Sequence, residues 1–168
     1  FGHAYACRCF GGEVHTMGVM LLIFTPVPYM DATASWNFRS RWKRILVAAA
    51  GMIVEIFVAA IAIVIWANTG SGVVHSLAYN VVFIASVTTI LFNANPLLRF
   101  DGYYILCDLL DMPNLHGRSA KLARHWVERY AFGCRKSKSP TTSRREVAIL
   151  GFFFVASNIY KIILFTGI

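Results

Sequence analysis

Three sets of polar residues lie in or beside apolar stretches of this 168-residue chain and carry groups able to do chemistry. They are His3, Glu55, and the run Asn93-Ala94-Asn95-Pro96-Leu97-Leu98-Arg99-Phe100-Asp101-Gly102. A polar side chain in apolar surroundings is costly unless it is paired or functional. His3 taken alone reads as an ordinary polar residue rather than a ligand. Asp101-Gly102 taken alone is a turn with a loop-capping aspartate. Asn93 is explained by capping a broken helix, and Pro96 by breaking it. The run as a whole is harder to reduce to a turn. It sets Asn, Pro and a carboxylate at fixed spacing where an apolar stretch ends, and such a carboxylate can serve as the third protein ligand of zinc.

The elements that must position these groups follow from composition and pattern. The chain is 57% hydrophobic and only 14% charged, whereas soluble domains carry about a quarter charged residues. That excludes a disordered chain and argues against an ordinary water-soluble enzyme. The apolar residues gather in blocks, which predicts full membrane spans over 45–66, 73–95 and 147–168. Residues 1–10 read as the end of a helix closed by the breaker pair Gly11-Gly12. Residues 11–44 are too short in apolar runs, and too broken by Pro26 and Pro28, to cross a bilayer. They predict a short β-hairpin or re-entrant segment at the membrane surface. Residues 103–110 form a short apolar piece. Residues 114–145 form a basic loop containing an amphipathic helix over 118–132, its apolar face made by Ala123, Trp126, Val127 and Tyr130, which either lies in the headgroup region or docks on the protein. The expected fold is mainly α, a multi-pass membrane helical bundle of about three full spans.

Sixteen Lys and Arg against eight Asp and Glu give a net charge of +8. Arg39, Arg41, Lys43 and Arg44 precede one apolar run, and nine basic residues between Arg118 and Arg145 precede another. If each run crosses once, fifteen of the sixteen basic residues fall on one side. That pattern predicts an anionic membrane surface rather than nucleic acid as the partner, with the basic loops cytoplasmic. The cysteines Cys7, Cys9, Cys107 and Cys134 contain no C-x-x-C pair and indicate no disulfide scaffold, and Cys7 and Cys9 read as packing residues near a helix end.

The string Asn93-x-x-Pro96-x-x-x-Phe100-Asp101-Gly102 resembles the Asn-Pro…Asp-Gly motif of the site-2 protease family of intramembrane zinc metallopeptidases. Phe1-Gly2-His3-Ala4 is similar to the tail of that family's His-Glu-x-x-His helix. Phe10-Gly11-Gly12-Glu13-Val14-His15 and Thr25-Pro26-Val27-Pro28-Tyr29 resemble its bacterial subgroup of peptide zinc metalloproteases. The resemblance reaches nearly to the last basic loop. It implies that residues 1–10 are the end of a clipped zinc helix, with His3 and Asp101 as zinc ligands. Two His one turn apart and a distant carboxylate would hold the metal, and a zinc-activated water would attack the peptide bond. The first His and the Glu base would lie just before Phe1, so the chain alone is expected to be inactive. Asn93, Pro96 and Gly102 would touch substrate or support the ligands from behind, and the 13–36 segment would pair with substrate as an added strand.

One departure stands out. Relatives often carry Ala-Gly-Pro-x-x-Asn in the first full span, and here the string is Ala50-Gly51-Met52-Ile53-Val54-Glu55. Gly51 suits close helix packing, and Glu55 stands in place of Asn. His15 and His75 read as surface or packing residues. Lys161 and Asn158 lie about one turn apart and form a polar face, unless Lys161 snorkels. The expected activity is that of a membrane-embedded zinc metalloendopeptidase of the bacterial inner membrane, acting on membrane-associated or exported peptides, with a link to an export system. The alternative is an inactive membrane component of a peptide export or efflux system.

Overall fold

In the computed structural model, residues 2–22, 25–30, 37–130, 141 and 143–167 are described. Phe1, residues 31–36 of the surface segment, and the expected loop residues Cys134, Arg135, Lys136 and Lys138 lie outside them. The chain is mainly helical and divides into two compact units, 1–110 and 111–168. Among the described residues, three helical stretches are long and apolar enough to cross a membrane: Arg41–Asn68, Val73–Asn93 and Arg144–Thr166.

Unit 1 begins with α1 (Gly2–Cys9). Its end is set by Gly11, whose φ of 82° belongs to the left-handed region that glycine enters without a Cβ clash. The Gly12 N–H then reaches the Cys7 carbonyl at 2.9 Å and the Gly11 N–H the Arg8 carbonyl at 3.0 Å, which satisfies the last helix acceptors. Cys7 is fully buried beneath this closure. β1 (Met17–Leu22) and β2 (Thr25–Met30) follow as an antiparallel pair with Met17 opposite Met30 and Leu22 opposite Thr25. Pro26 and Pro28, two apart, remove N–H groups from one edge of β2 only, which a two-stranded sheet tolerates.

α2 (Arg41–Asn68) is longer than the expected span because it takes in Arg41, Lys43 and Arg44 of the basic cluster. Arg and Lys are good helix formers whose stems can lie along apolar surface. Arg44 ties this end down, donating from Nε to Asp108 at 2.7 Å and from Nη1 to the Phe38 carbonyl at 2.9 Å. Ile53, Ile56, Phe57, Ile61 and Val64 are exposed, as the lipid-facing side of a span must be. α3 (Val73–Val87) packs against α2 and passes into a π-helical turn, Thr88–Asn93. The expected span 73–95 is thus an α-helix with a wider turn at its end. There the Ala94 N–H bonds the Thr89 carbonyl, five residues back, at 2.7 Å. Pro96 lies in the turn that follows, where Asn95 Oδ1 accepts the Leu97 N–H at 2.9 Å. The short apolar piece is a helix, α4 (Asp101–Leu109), with Tyr103 and Cys107 buried.

Unit 2 consists of α5 (Leu115–Tyr130) packed on α6 (Arg144–Thr166). On α5, the expected apolar face of Ala123, Trp126, Val127 and Tyr130 is distinct from the face buried in the protein. Its buried residues are Leu115, Ser119, Leu122 and His125, while Val127 and Tyr130 are exposed. Leu115 and Leu122 meet the core to which α6 contributes Leu150 and Phe153, which leaves Val127 and Tyr130 on the outward side. Trp126 still lies against Gly151, where a Cβ would come within 2.9 Å of its ring. Arg118 binds Glu146 at 2.8 Å, and Lys161 pairs with His116 at 3.1 Å rather than snorkelling.

Candidate metal centre

Val47, Gly51 and Glu55 recur every four residues along α2 and so share one face. α1 packs closely there because Gly2 has no side chain: a Cβ would stand 2.5 Å from the Ala50 carbonyl oxygen. This approach sets His3 Nδ1 2.8 Å from the Val47 carbonyl oxygen. A carbonyl accepts and cannot donate, so Nδ1 carries the proton and the neutral ring keeps its lone pair on Nε2. His3 Nε2 lies 3.4 Å from Asp101 Oδ2, and the two side chains are 27% and 24% exposed.

Asp101 reaches this point from the start of α4, which is seated by Gly102. A Cβ on Gly102 would meet the Ala94 carbonyl oxygen at 2.6 Å and the Asn93 carbonyl oxygen at 3.0 Å. Gly102 therefore acts by letting two backbone segments touch. Gly51 forms the floor. A Cβ there would collide with His3 Nε2, approach His3 Cε1 to 2.6 Å and Asp101 Oδ2 to 3.1 Å. The imidazole nitrogen and the carboxylate oxygen thus converge over a position that only glycine leaves open.

This donor pair fits zinc. Ligands about 2.0–2.1 Å from one tetrahedral ion stand about 3.4 Å apart, and His3 Nε2 and Asp101 Oδ2 are separated by 3.4 Å. A hydrogen bond from the other ring nitrogen to a carbonyl is also the usual support of a metal-binding His. Among the described residues, no three His, Cys, Asp or Glu side chains gather closely enough to hold a metal, so the pair offers two donor groups and no third.

Without metal, the same pair favours the imidazolium. The hydrogen bond to Asp101 raises the His3 pKa above 6.5, burial opposes it, and the Val47 carbonyl adds to the rise. A raised folded-state pKa means the contribution to stability is complete below 6.5 and fades as pH climbs through the raised value. Denaturation of the metal-free protein across that window should show stability falling with pH. His3→Gln should flatten that part of the slope, and an unchanged slope in the variant would rule the pair out as its source. A metal ion taken up by this pair would have to displace the same proton, so its uptake would strengthen with rising pH.

The other expected residues fall as follows. Asn93 donates from Nδ2 to Glu55 at 2.9 Å (Oε1) and 3.0 Å (Oε2), and Thr89 Oγ1 donates to Glu55 Oε2 at 2.5 Å. Glu55 is thus joined to a residue of the expected site, which its place in the span does not reveal. Thr89 carries no signal in the sequence beyond lying four residues before Asn93. His15 is exposed beside Glu13. His75 bonds the Thr69 carbonyl at 3.0 Å and stacks near Trp66, closing the α2–α3 turn.

No protein-family model matches the chain, and no curated protein or solved structure matches it.

Proposed function

We propose that this chain belongs to a membrane-embedded zinc metalloendopeptidase of the site-2 protease type, with His3 and Asp101 as two of the protein ligands. The observation that carries the reading is the 3.4 Å approach of His3 Nε2 to Asp101 Oδ2 above Gly51. Two motifs far apart in the sequence meet there at a spacing that suits two ligands of one ion. In the family that the chain resembles, a further His and a Glu base complete such a centre.

Zinc, when bound, supplies Lewis acidity that polarises a peptide carbonyl and acidifies water. The chain's own residues do the rest. The Val47 carbonyl fixes the His3 ring so that Nε2 faces inward, and Gly51 keeps the space between the donors open. Gly102 seats α4 and so aims Asp101. The β1–β2 hairpin offers strand pairing to a substrate in extended form, whose peptide bonds are exposed in a way that helical ones are not. The three apolar helices suit a bilayer setting for this chemistry. The basic clusters favour an orientation with those loops cytoplasmic, in a bacterial inner membrane, and exported or membrane-associated peptides are the substrate class.

The test is metal removal from the product of the natural reading frame in detergent. Dye-labelled β-casein should be cleaved, cleavage should cease on chelation, and zinc should restore it. A protein that holds no zinc and cuts nothing would instead be the inactive export or efflux component.

A further inference from the structure

Glu55 is the ionisable residue for which the zinc reading has no use. It lies in the apolar body of α2, one turn beyond Gly51, and it is not a third ligand, since no such trio forms among the described residues. Its carboxyl group instead accepts Thr89 Oγ1 at 2.5 Å and the Asn93 amide at 2.9 and 3.0 Å. The two ends of an Asn side chain are nearly the same shape, so an isolated amide can be presented either way round. A carboxylate accepts and does not donate, and only the Nδ2 end is stable against it. Oδ1 is thereby turned away from Glu55, and among the described residues none donates to it. Asn93 also stands beside the ligand site, because its own carbonyl oxygen abuts Gly102, the residue after Asp101.

We propose that Glu55 is a positioning residue that fixes the Asn93 amide with Oδ1 presented to a backbone N–H of an extended peptide bound beside His3 and Asp101. The identity of the bound group rests on the peptidase reading; the hydrogen bonds that do the positioning do not. Glu55→Gln keeps the shape but can offer a donor, which lets Asn93 turn over and present N–H where an acceptor is required. Thr89→Val removes the other hydrogen bond to the same carboxyl and leaves the amide orientation in place.

The experiment measures β-casein cleavage, zinc content and Asn93 side-chain amide resonances in the natural full-length protein and its variants. Glu55→Gln should keep its zinc and lose about tenfold in kcat/KM, while Thr89→Val stays within about twofold of the parent. In an Asn93→Ala background, Glu55→Gln should have no further effect. Losses that multiply in the double variant, or an equal loss in Thr89→Val, would overturn the proposal. If casein is cut by none of the proteins, the peptidase reading fails and the resonances decide the positioning. Glu55→Gln should then shift the Asn93 amide signals and Thr89→Val should not; unmoved signals would overturn it. A coupling across the hydrogen bond from Asn93 Nδ2 to Glu55 Cδ in the unmutated protein supports the positioning without a variant, and its absence counts against the proposal.

Discussion

Asp101→Asn is expected to weaken zinc binding by at least about a hundredfold and to abolish casein cleavage, while leaving the helical content of the protein unchanged. The substitution keeps the shape at the start of α4 and removes the anionic oxygen that stands 3.4 Å from His3 Nε2. It touches none of the bonds that anchor this end of unit 1. Arg44 still binds Asp108, and Gly102 still abuts the Ala94 carbonyl. His3→Ala should act alike, and the double variant should be little worse than either, because one metal has already been lost. A variant that retained stoichiometric zinc would show that Asp101 is not a ligand.

Gly51→Ala is expected to be nearly as damaging although it changes no ligand. Alanine suits a helix better than glycine, so α2 itself should gain slightly. The added methyl, however, enters the space toward which His3 Nε2 and Asp101 Oδ2 point. The His3 ring is held from behind by the Val47 carbonyl at 2.8 Å, so it can withdraw only by breaking that bond. Zinc content and cleavage should therefore fall together, by at least about tenfold, with thermal stability maintained. Gly70 in the α2–α3 turn has no atom near a built Cβ, and Gly70→Ala is the matched control. Equal behaviour of the two variants would show that the glycine floor plays no part in zinc binding.

How far the sequence reaches follows from which forces act locally. The three long apolar runs are legible because hydrophobic length is a property of a contiguous segment. Their ends are less so: α2 starts at Arg41, inside the charged cluster, since helix propensity continues where hydropathy stops. The Gly11-Gly12 stop is legible because a left-handed position selects glycine by itself. His3 and Asp101 are legible as a motif, and their meeting follows from two glycines, Gly2 and Gly102, that allow backbones to touch. The Glu55–Asn93–Thr89 connection is not legible. It depends on the register of α2 against a π-helical turn, and no periodicity in either segment records that register. The packed face of α5 escapes the sequence for a similar reason: Trp126, Val127 and Tyr130 make the more apolar stripe, yet α6 offers its core to Leu115 and Leu122.

The central claim is that His3 and Asp101 bind one metal ion, and zinc K-edge X-ray absorption on the natural reading-frame product tests it most directly. The expected spectrum shows one zinc per chain in a four-coordinate shell of nitrogen and oxygen at about 2.0–2.1 Å with imidazole back-scattering. His3→Ala and Asp101→Asn should each remove that signal. A protein without zinc, or one whose zinc shell is the same in both variants, would contradict it.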